Sequence, residues 1–469
     1  MFKIKILCLT FLSLGMATTH ADFTHLQSMS DEQLSETTGQ ALMSLTYIAP
    51  TDATNLEAKR KDGAGNIIGA KNIGFYKLGL EAELELNANI KKLQLGCGGA
   101  NGAGNCDIDI DNLSLSGLGN SASSNTGSAT DRAARVGSSA VLTNPYMQFA
   151  IKNPNSASTR EVVGINLSSE KAIGLLTFGQ ENSSARNGIN SLSGYMEVAA
   201  TTGTALVNGF GSSMVSGESV RNTLNQSDGY NAIKGKACCL IFGLGTLDFT
   251  TTAYNLNLRD KATGSNILKG DLILKQQPIT GKRISSAILQ ATANVRDIDL
   301  SGVISARAIG IINLNNKNTQ GTIQNLTVDA TINEDLGYFH KASLNGTPAS
   351  LSLQSQDLQW PGNKSTASKG WWLEFSNPID IGKIDPTDRV DIPKATLNAV
   401  MDQVTAFLSK PENAVECGNN LASDCLFGGS VPVGTVDLTN APHATMPLNN
   451  IQLAKQDFTP NCYGSLKFC

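Results

Sequence analysis

Apolar residues recur along this chain at a spacing that regular strands do not have. Five segments share the order apolar, two mostly polar, Leu or Ile, polar, Leu or Val: Ile90-Lys91-Lys92-Leu93-Gln94-Leu95, Ile110-Asp111-Asn112-Leu113-Ser114-Leu115, the shortened Tyr254-Asn255-Leu256-Asn257-Leu258, Val295-Arg296-Asp297-Ile298-Asp299-Leu300 and Ile323-Gln324-Asn325-Leu326-Thr327-Val328. A strand alternates its faces residue by residue. Two polar residues in succession slip that count by one, and a β-bulge that restores it also bends the strand. Elsewhere period two is strict. Leu78, Leu80, Ala82, Leu84, Leu86, Ala88 and Ile90 alternate with Glu81, Glu83, Glu85 and Asn87, which predicts one strand over 78–90. Leu289 to Val295 and Leu326 to Ile332 alternate in the same way. Tyr146–Ile151, bracketed by Asn144-Pro145 and Asn153-Pro154, predicts a further strand, and Val162–Leu167 and Ala172–Phe178 predict two more. Asp62-Gly63 and Asn187-Gly188 read as hairpin-like turns. The pattern predicts a mainly β fold, a large curved and bulged antiparallel sheet that is sandwich- or groove-like.

Helical signals occur in two places. Ser30-Asp31-Glu32-Gln33 is a capping box and Gly39 a stop, predicting a helix of about two turns. Near the C-terminus, Asp391 as cap and Pro393 in the first turn precede Leu397, Val400, Met401, Val404, Phe407 and Leu408 on one face. Lys410-Pro411 follows, so a helix over 393–409 is expected to cover a sheet. The chain divides accordingly. Residues 1–21 form a signal peptide, with Lys3 and Lys5, the apolar run Ile6 to Met16 and the cleavage site Thr19-His20-Ala21. Residues 22–45 are a short helical leader-like segment. Residues 46–355 are a β-rich body with a Gly/Ser/Asn loop over 117–137, and residues 356–469 are a C-terminal β region with a disulfide-closed tail.

Composition narrows the function classes. Charged residues make up 16 %, against about 25 % in ordinary soluble proteins. A net charge of −4 gives no basic surface for nucleic acid. Outside the signal peptide stand Cys97, Cys106, Cys238, Cys239, Cys417, Cys425, Cys462 and Cys469, an even set that reads as disulfides in an exported chain. Local pairing gives Cys97–Cys106, Cys417–Cys425 and Cys462–Cys469. It leaves Cys238 and Cys239 either as a vicinal bridge or as a sign that the pairing runs otherwise. No Cys-x-x-Cys occurs, and with His25, His340 and His443 as the remaining histidines a zinc site is not expected; no cofactor is. Asp107, Asp109 and Asp111 alternate as a calcium site's ligands could, or as one polar strand face. The glycine-rich Gly96 to Gly104 lacks a following helix and reads as a disulfide-closed loop rather than a phosphate loop. Neither Gly-x-Ser-x-Gly nor His-Glu-x-x-His is present, so no enzyme is expected. Asp380, Asp385, Asp388 and Asp391 leave a carboxylate-dependent glycosidase as the remote enzymatic alternative. Trp371 and Trp372 must point to opposite faces of a strand. One fills the core and the other is available as an aromatic platform for a sugar ring or a partner.

The segment Met29-Ser30-Asp31-Glu32-Gln33-Leu34-Ser35-Glu36-Thr37-Thr38-Gly39-Gln40-Ala41 resembles a motif near the N-terminus of many exported gammaproteobacterial proteins. It is also similar to the helical leaders read by C39-type peptidases, which end in Gly-Gly or Gly-Ala where this chain has Gly39-Gln40. Asn144 to Pro154, with Asp107 to Gly117 before it, resembles large β-rich surface proteins of Fil-type pilus systems. The resemblance implies export and assembly at the cell surface rather than a mechanism. A structural component of a pilus-like or adhesive assembly is therefore the leading expectation, with other assembly proteins or its own copies as partners through open sheet edges. A periplasmic lipid carrier with an apolar β-groove is the alternative. An outer-membrane β-barrel is the second alternative, and association with that membrane is part of the expectation.

Overall fold

The computed structural model describes residues 43–118, 138–179, 186–218, 221–238, 246–308, 312–346, 348–379, 381, 383–416 and 430–449. The 22–45 leader segment (all but its last three residues), most of the 117–137 loop, Cys239, Cys417, Cys425, Cys462, Cys469 and Asp380 lie outside them. The protein is mainly β, as the alternation requires.

The chain first lays down β1 (Met43–Ile48), β2 (Ile73–Leu80), β3 (Glu83–Leu86), β4 (Ala88–Leu95), β5 (Ile108–Ser116), β6 (Ala140–Lys152), β7 (Glu161–Thr177) and β8 (Ile189–Val198), all in one sheet. It then moves to a third sheet with β9 (Thr201–Asn208) and to a second with β10 (Leu224–Asn225), β11 (Lys234–Cys238) and β12 (Thr246–Asp260). It returns through β13 (Ile267–Leu274) of the third sheet and β14 (Gln277–Ile284) of the first. Next, β15 (Ser286–Val295) is in the third sheet, β16 (Ile298–Ala308) and β17 (Ile312–Gln324) are in the second, and β18 (Thr327–Asp335) is in the third. The first sheet is completed by β19 (Lys341–Asn345), β20 (Ala349–Gln354) and β21 (Gly370–Ile379). After β22 (Arg389–Asp391) and the helix α1 (Lys394–Leu408), β23 (Val415–Glu416), β24 (Ser430–Asp437) and β25 (Ala444–Asn449) finish the other two sheets. Among the described residues the three sheets have 12, 7 and 6 strands.

Most pairings are antiparallel, but the sheets are mixed rather than purely antiparallel as expected. β8–β21, β9–β22, β11–β23, β17–β24 and β18–β25 are parallel. The expected boundary at 355/356 is crossed by pairing. β20 joins β21, while β24 and β25 add to strands of the body.

The slipped hydrophobic spacing has two outcomes. In the first sheet it marks local irregularity: the β4–β5 ladder skips Lys91 and Asn112, Asn112 has a φ of 49°, and the β5–β8 register slips between Asp109 and Ile110. At Arg296-Asp297 and Asn325-Leu326 the strand instead ends, and the chain passes between the third and second sheets. These are corners, not bulges, and such switches are where packed sheets bend. The Tyr254–Leu258 copy runs straight within β12, whose slip lies at Thr251/Ala253. The single strand expected over 78–90 is three elements. β2 and β3 both pair with β6, one residue out of step across Asn144 (φ 47°), and β4 transfers to β5. Conversely, the two strands expected at 162–178 are one long β7.

Helix α1 matches the expected 393–409 to a residue at each end. Pro393, not Asp391, occupies its N-cap and no side chain caps it, because Asp391 is held in β22 by Arg221 and Asn208. Its buried Leu397, Val400, Met401, Val404 and Leu408 join a core that runs continuously through the sheets.

Candidate functional site

Six adjacent strands of the first sheet are inverted. β1, β2, β6, β7, β20 and β21 lie side by side, and their register aligns Thr46, Lys77, Gln148, Asn166, Ser352 and Trp372 in one cross-strand row. Gln148, Asn166, Ser352 and Trp372 of that row are buried. They lie beneath the 355–369 segment, whose Leu358, Trp360 and Ala367 pack with Phe75, Ala150 and Val163. Polar bonds stitch this face. Asn166 donates to Gln148 Oε1 (2.8 Å), Trp360 Nε1 to Gln354 Oε1 (3.1 Å) and Asn363 Nδ2 to Ser350 Oγ (3.0 Å). Gly164 is required there, since a Cβ would stand 2.8 Å from the Trp360 ring. Glu374, 1 % exposed, accepts from the Lys364 and Ser365 amides and from Ser365 Oγ. Burial nevertheless pushes its carboxyl above the usual range.

The residues between point the other way and are apolar. Leu45, Leu78, Met147, Leu167, Leu351 and Leu373 form one row across the six strands. Tyr47, Tyr76, Phe149, Ile165, Leu353 and Trp371 form the next. Leu45 is 69 % and Leu167 45 % exposed, and Leu78, Met147, Ile165 and Leu353 are exposed as well. Tyr47 stacks on Tyr76 at 4.3 Å between centroids. An exposed large apolar patch is informative in a way that a single exposed leucine is not.

Part of this face is roofed. Five strands, β7-β20-β21-β8-β5, close into a ring because β5 also pairs with β7. Leu86, Ile90, Leu93, Leu113 and Leu115 line, together with Leu78, Met147, Leu167, Leu351 and Leu373, a groove of about 730 Å³. That volume is within the roughly 300–1,000 Å³ of small-molecule sites. Its lining has no charged side chain; Ser168, Ser169, Ser350 and Tyr146 are its polar members. Alternation at 78–90 thus supplies Leu78, Leu80, Leu86 and Ile90 to the groove rather than to a closed core. A second cavity of about 400 Å³, lined by Lys77, Glu81, Glu83, Asn144 and Glu170, is charged, with Lys77 bridging Glu170 at 3.0 Å.

The other candidates resolve differently. Asp107, Asp109 and Asp111 do not converge on a cation position. Asp107, 1 % exposed, is paired with Arg283 Nε (2.9 Å) and accepts from Asn101 Nδ2 and the Trp371 amide. Lys92 Nζ lies between Asp109 (2.7 Å) and Asp111 (2.9 Å), and Asn190 bonds both. Burial raises Asp109, but hydrogen bonds from Lys92, Gln94 and Asn190 outweigh it and its carboxyl ends below the usual range. No metal-ligand cluster exists among the described residues. Cys97–Cys106 is a disulfide, closing the glycine-rich loop, and Arg283 clamps that loop through the Gly96 and Gly102 carbonyls. Cys238 is also disulfide-bonded. Asp385 pairs with Lys383, Asp388 is exposed, and neither lines either cavity, nor does Asp391. Trp372 is buried and donates to Ser365 Oγ, whereas half-buried Trp371 ends the aromatic row beside the groove. No described helix is long and apolar enough to cross a membrane.

Comparison with known protein families, with curated proteins and with solved structures gave no match.

Proposed function

We propose that this chain is an exported binding protein that holds an extended hydrocarbon, an acyl chain of a lipid, in the groove of its first sheet. The observation that carries this is the inverted sheet, polar beneath its covering segment and apolar where it is open. Burying apolar surface yields about 0.8 kcal/mol per CH₂, so a chain of about twelve carbons supplies roughly 10 kcal/mol before ordering costs. With no charge in the lining and only Ser168, Ser169, Ser350 and Tyr146 as polar members, the groove suits a flexible apolar tail, which needs chiefly shape and length. The test is organic extraction of the purified protein with lipid mass spectrometry, alongside titration with dansyl-undecanoate. Co-purifying lipid and saturable probe binding are expected. Their joint absence refutes the proposal.

A second reading, assembly at the cell surface, is favoured by β1. This open edge strand extends the apolar face and suits addition of a strand. It predicts recovery of the protein in sheared surface fractions.

A further inference from the structure

Sheet edges are normally protected against pairing by charge, proline or brevity. Five of the six terminal strands here follow that rule. β4 carries Lys91 and Lys92, β24 carries Pro432, β25 carries Pro447, and β22 and β23 are three and two residues long. The single-partner strands off the main path comply too: β3 has Glu83 and Glu85, β14 has Pro278, β19 has Lys341 and β10 has two residues. β1 is the exception. Met43-Ser44-Leu45-Thr46-Tyr47-Ile48 is uncharged, free of proline and glycine, six residues long, and among the described residues pairs only with β2.

We infer that the partner of this edge is a second copy of the same chain, joined β1 to β1 in antiparallel register about a twofold axis at Leu45. The sequence is self-complementary about that residue. Leu45 meets Leu45, Met43 of one copy meets Tyr47 of the other, and Ser44 meets Thr46. Apolar residues face apolar and hydroxyls face hydroxyls, the matching that stabilises cross-strand pairs. The twofold axis makes one patch serve both copies. A one-residue slip would set Leu45 against Ser44 or Thr46 and is selected against for that reason. The rows through Leu45 and Tyr47 then continue from one copy's β21 to the other's, covering the 69 % exposed Leu45 and joining the two apolar faces into one.

Dimerisation needs no occupant in the groove, so it is tested apart from lipid binding. Analytical ultracentrifugation of the purified protein is expected to give twice the chain mass, falling to one chain for Leu45→Lys, which sets like charges opposite each other on the axis. Leu45→Cys is expected to form an intermolecular disulfide on mild oxidation. Facing Cα atoms in antiparallel pairs lie about 4.5 or 5.5 Å apart, within the roughly 4.4–6.8 Å that disulfides span. Ile67→Cys, exposed but off the edge, and the wild type with its native cysteines are the controls. A wild type that sediments as one chain at all concentrations overturns the inference, as it would if another protein's strand fills the edge. So does a Leu45→Lys protein that remains dimeric, or Leu45→Cys cross-linking no more than Ile67→Cys.

Discussion

Leu167 lines the groove, with Met147 and Leu351 beside it in register, and is 45 % exposed. Full burial of a leucine stabilises by about 1.5–3 kcal/mol, so an acyl chain that covers the remaining surface gains roughly 1 kcal/mol there. Leu167→Ser forfeits that gain. It also leaves a hydroxyl that the bound chain desolvates without offering a partner, costing about 1–3 kcal/mol. The sum, about 2–4 kcal/mol, corresponds to roughly thirty- to seven-hundred-fold weaker binding. The empty protein loses only about 1 kcal/mol, because nearly half of the side chain never left water. Dansyl-undecanoate titration reads the first quantity and urea unfolding the second. Ile288→Ser makes the same chemical change at an exposed position on β15, in a different sheet, and leaves binding unchanged. The reasoning fails if Leu167→Ser binds the probe like the wild type, or if Ile288→Ser weakens binding as much.

Arg283→Met strands the buried carboxylate of Asp107 and should cost about 3–5 kcal/mol in urea unfolding, with Asp107→Asn in the same chain restoring much of it. Removing the Cys97–Cys106 bridge as a double serine variant should cost about 2.5 kcal/mol, the chain-entropy value for so short a loop, read from the shift in thermal midpoint. Glu374 has a folded pKa raised by burial, so its contribution is complete below the ordinary carboxyl range and is lost as pH rises through the folded value. Glu374→Gln should therefore gain on the wild type as pH rises above the ordinary carboxyl range, measured as the difference in urea midpoints. Asn325→Ala places an unfavourable side chain at φ 62° and removes the bond to Asp437 (2.8 Å), so a loss of about 1–2 kcal/mol is expected at this corner between sheets.

Fold class, the strand positions around Tyr146 and Val162, the Cys97–Cys106 loop and helix α1 were legible because each rests on neighbours in sequence. The groove was not. Alternation identifies which residues share a face, and Leu78, Leu80, Leu86 and Ile90 do share one; whether that face meets a core or stays open depends on what packs across it. The hidden clue was Gln148, Asn166 and Ser352 on the opposite face, polar residues at positions that any closed sheet would expose. The corners were misread as bulges because both interrupt the count by one residue. A better signal was asparagine, which among the described residues holds five of the six non-glycine positions with positive φ, at Asn112, Asn144, Asn153, Asn316 and Asn325. The ion pairs of Lys92 with Asp109 and Asp111 were not legible because Lys92 is distant from them in sequence and becomes their neighbour only when β4 pairs with β5.

The parallel pairing of β24 with β17 and of β25 with β18 has a consequence for biogenesis. Chain emerging from its N-terminal end reaches β17 and β18 more than a hundred residues before the strands that flank them. Until those arrive, two bare hydrogen-bonding ladders lie exposed to other nascent chains. The second and third sheets thus gain these edge strands only once the C-terminal part of the chain is present.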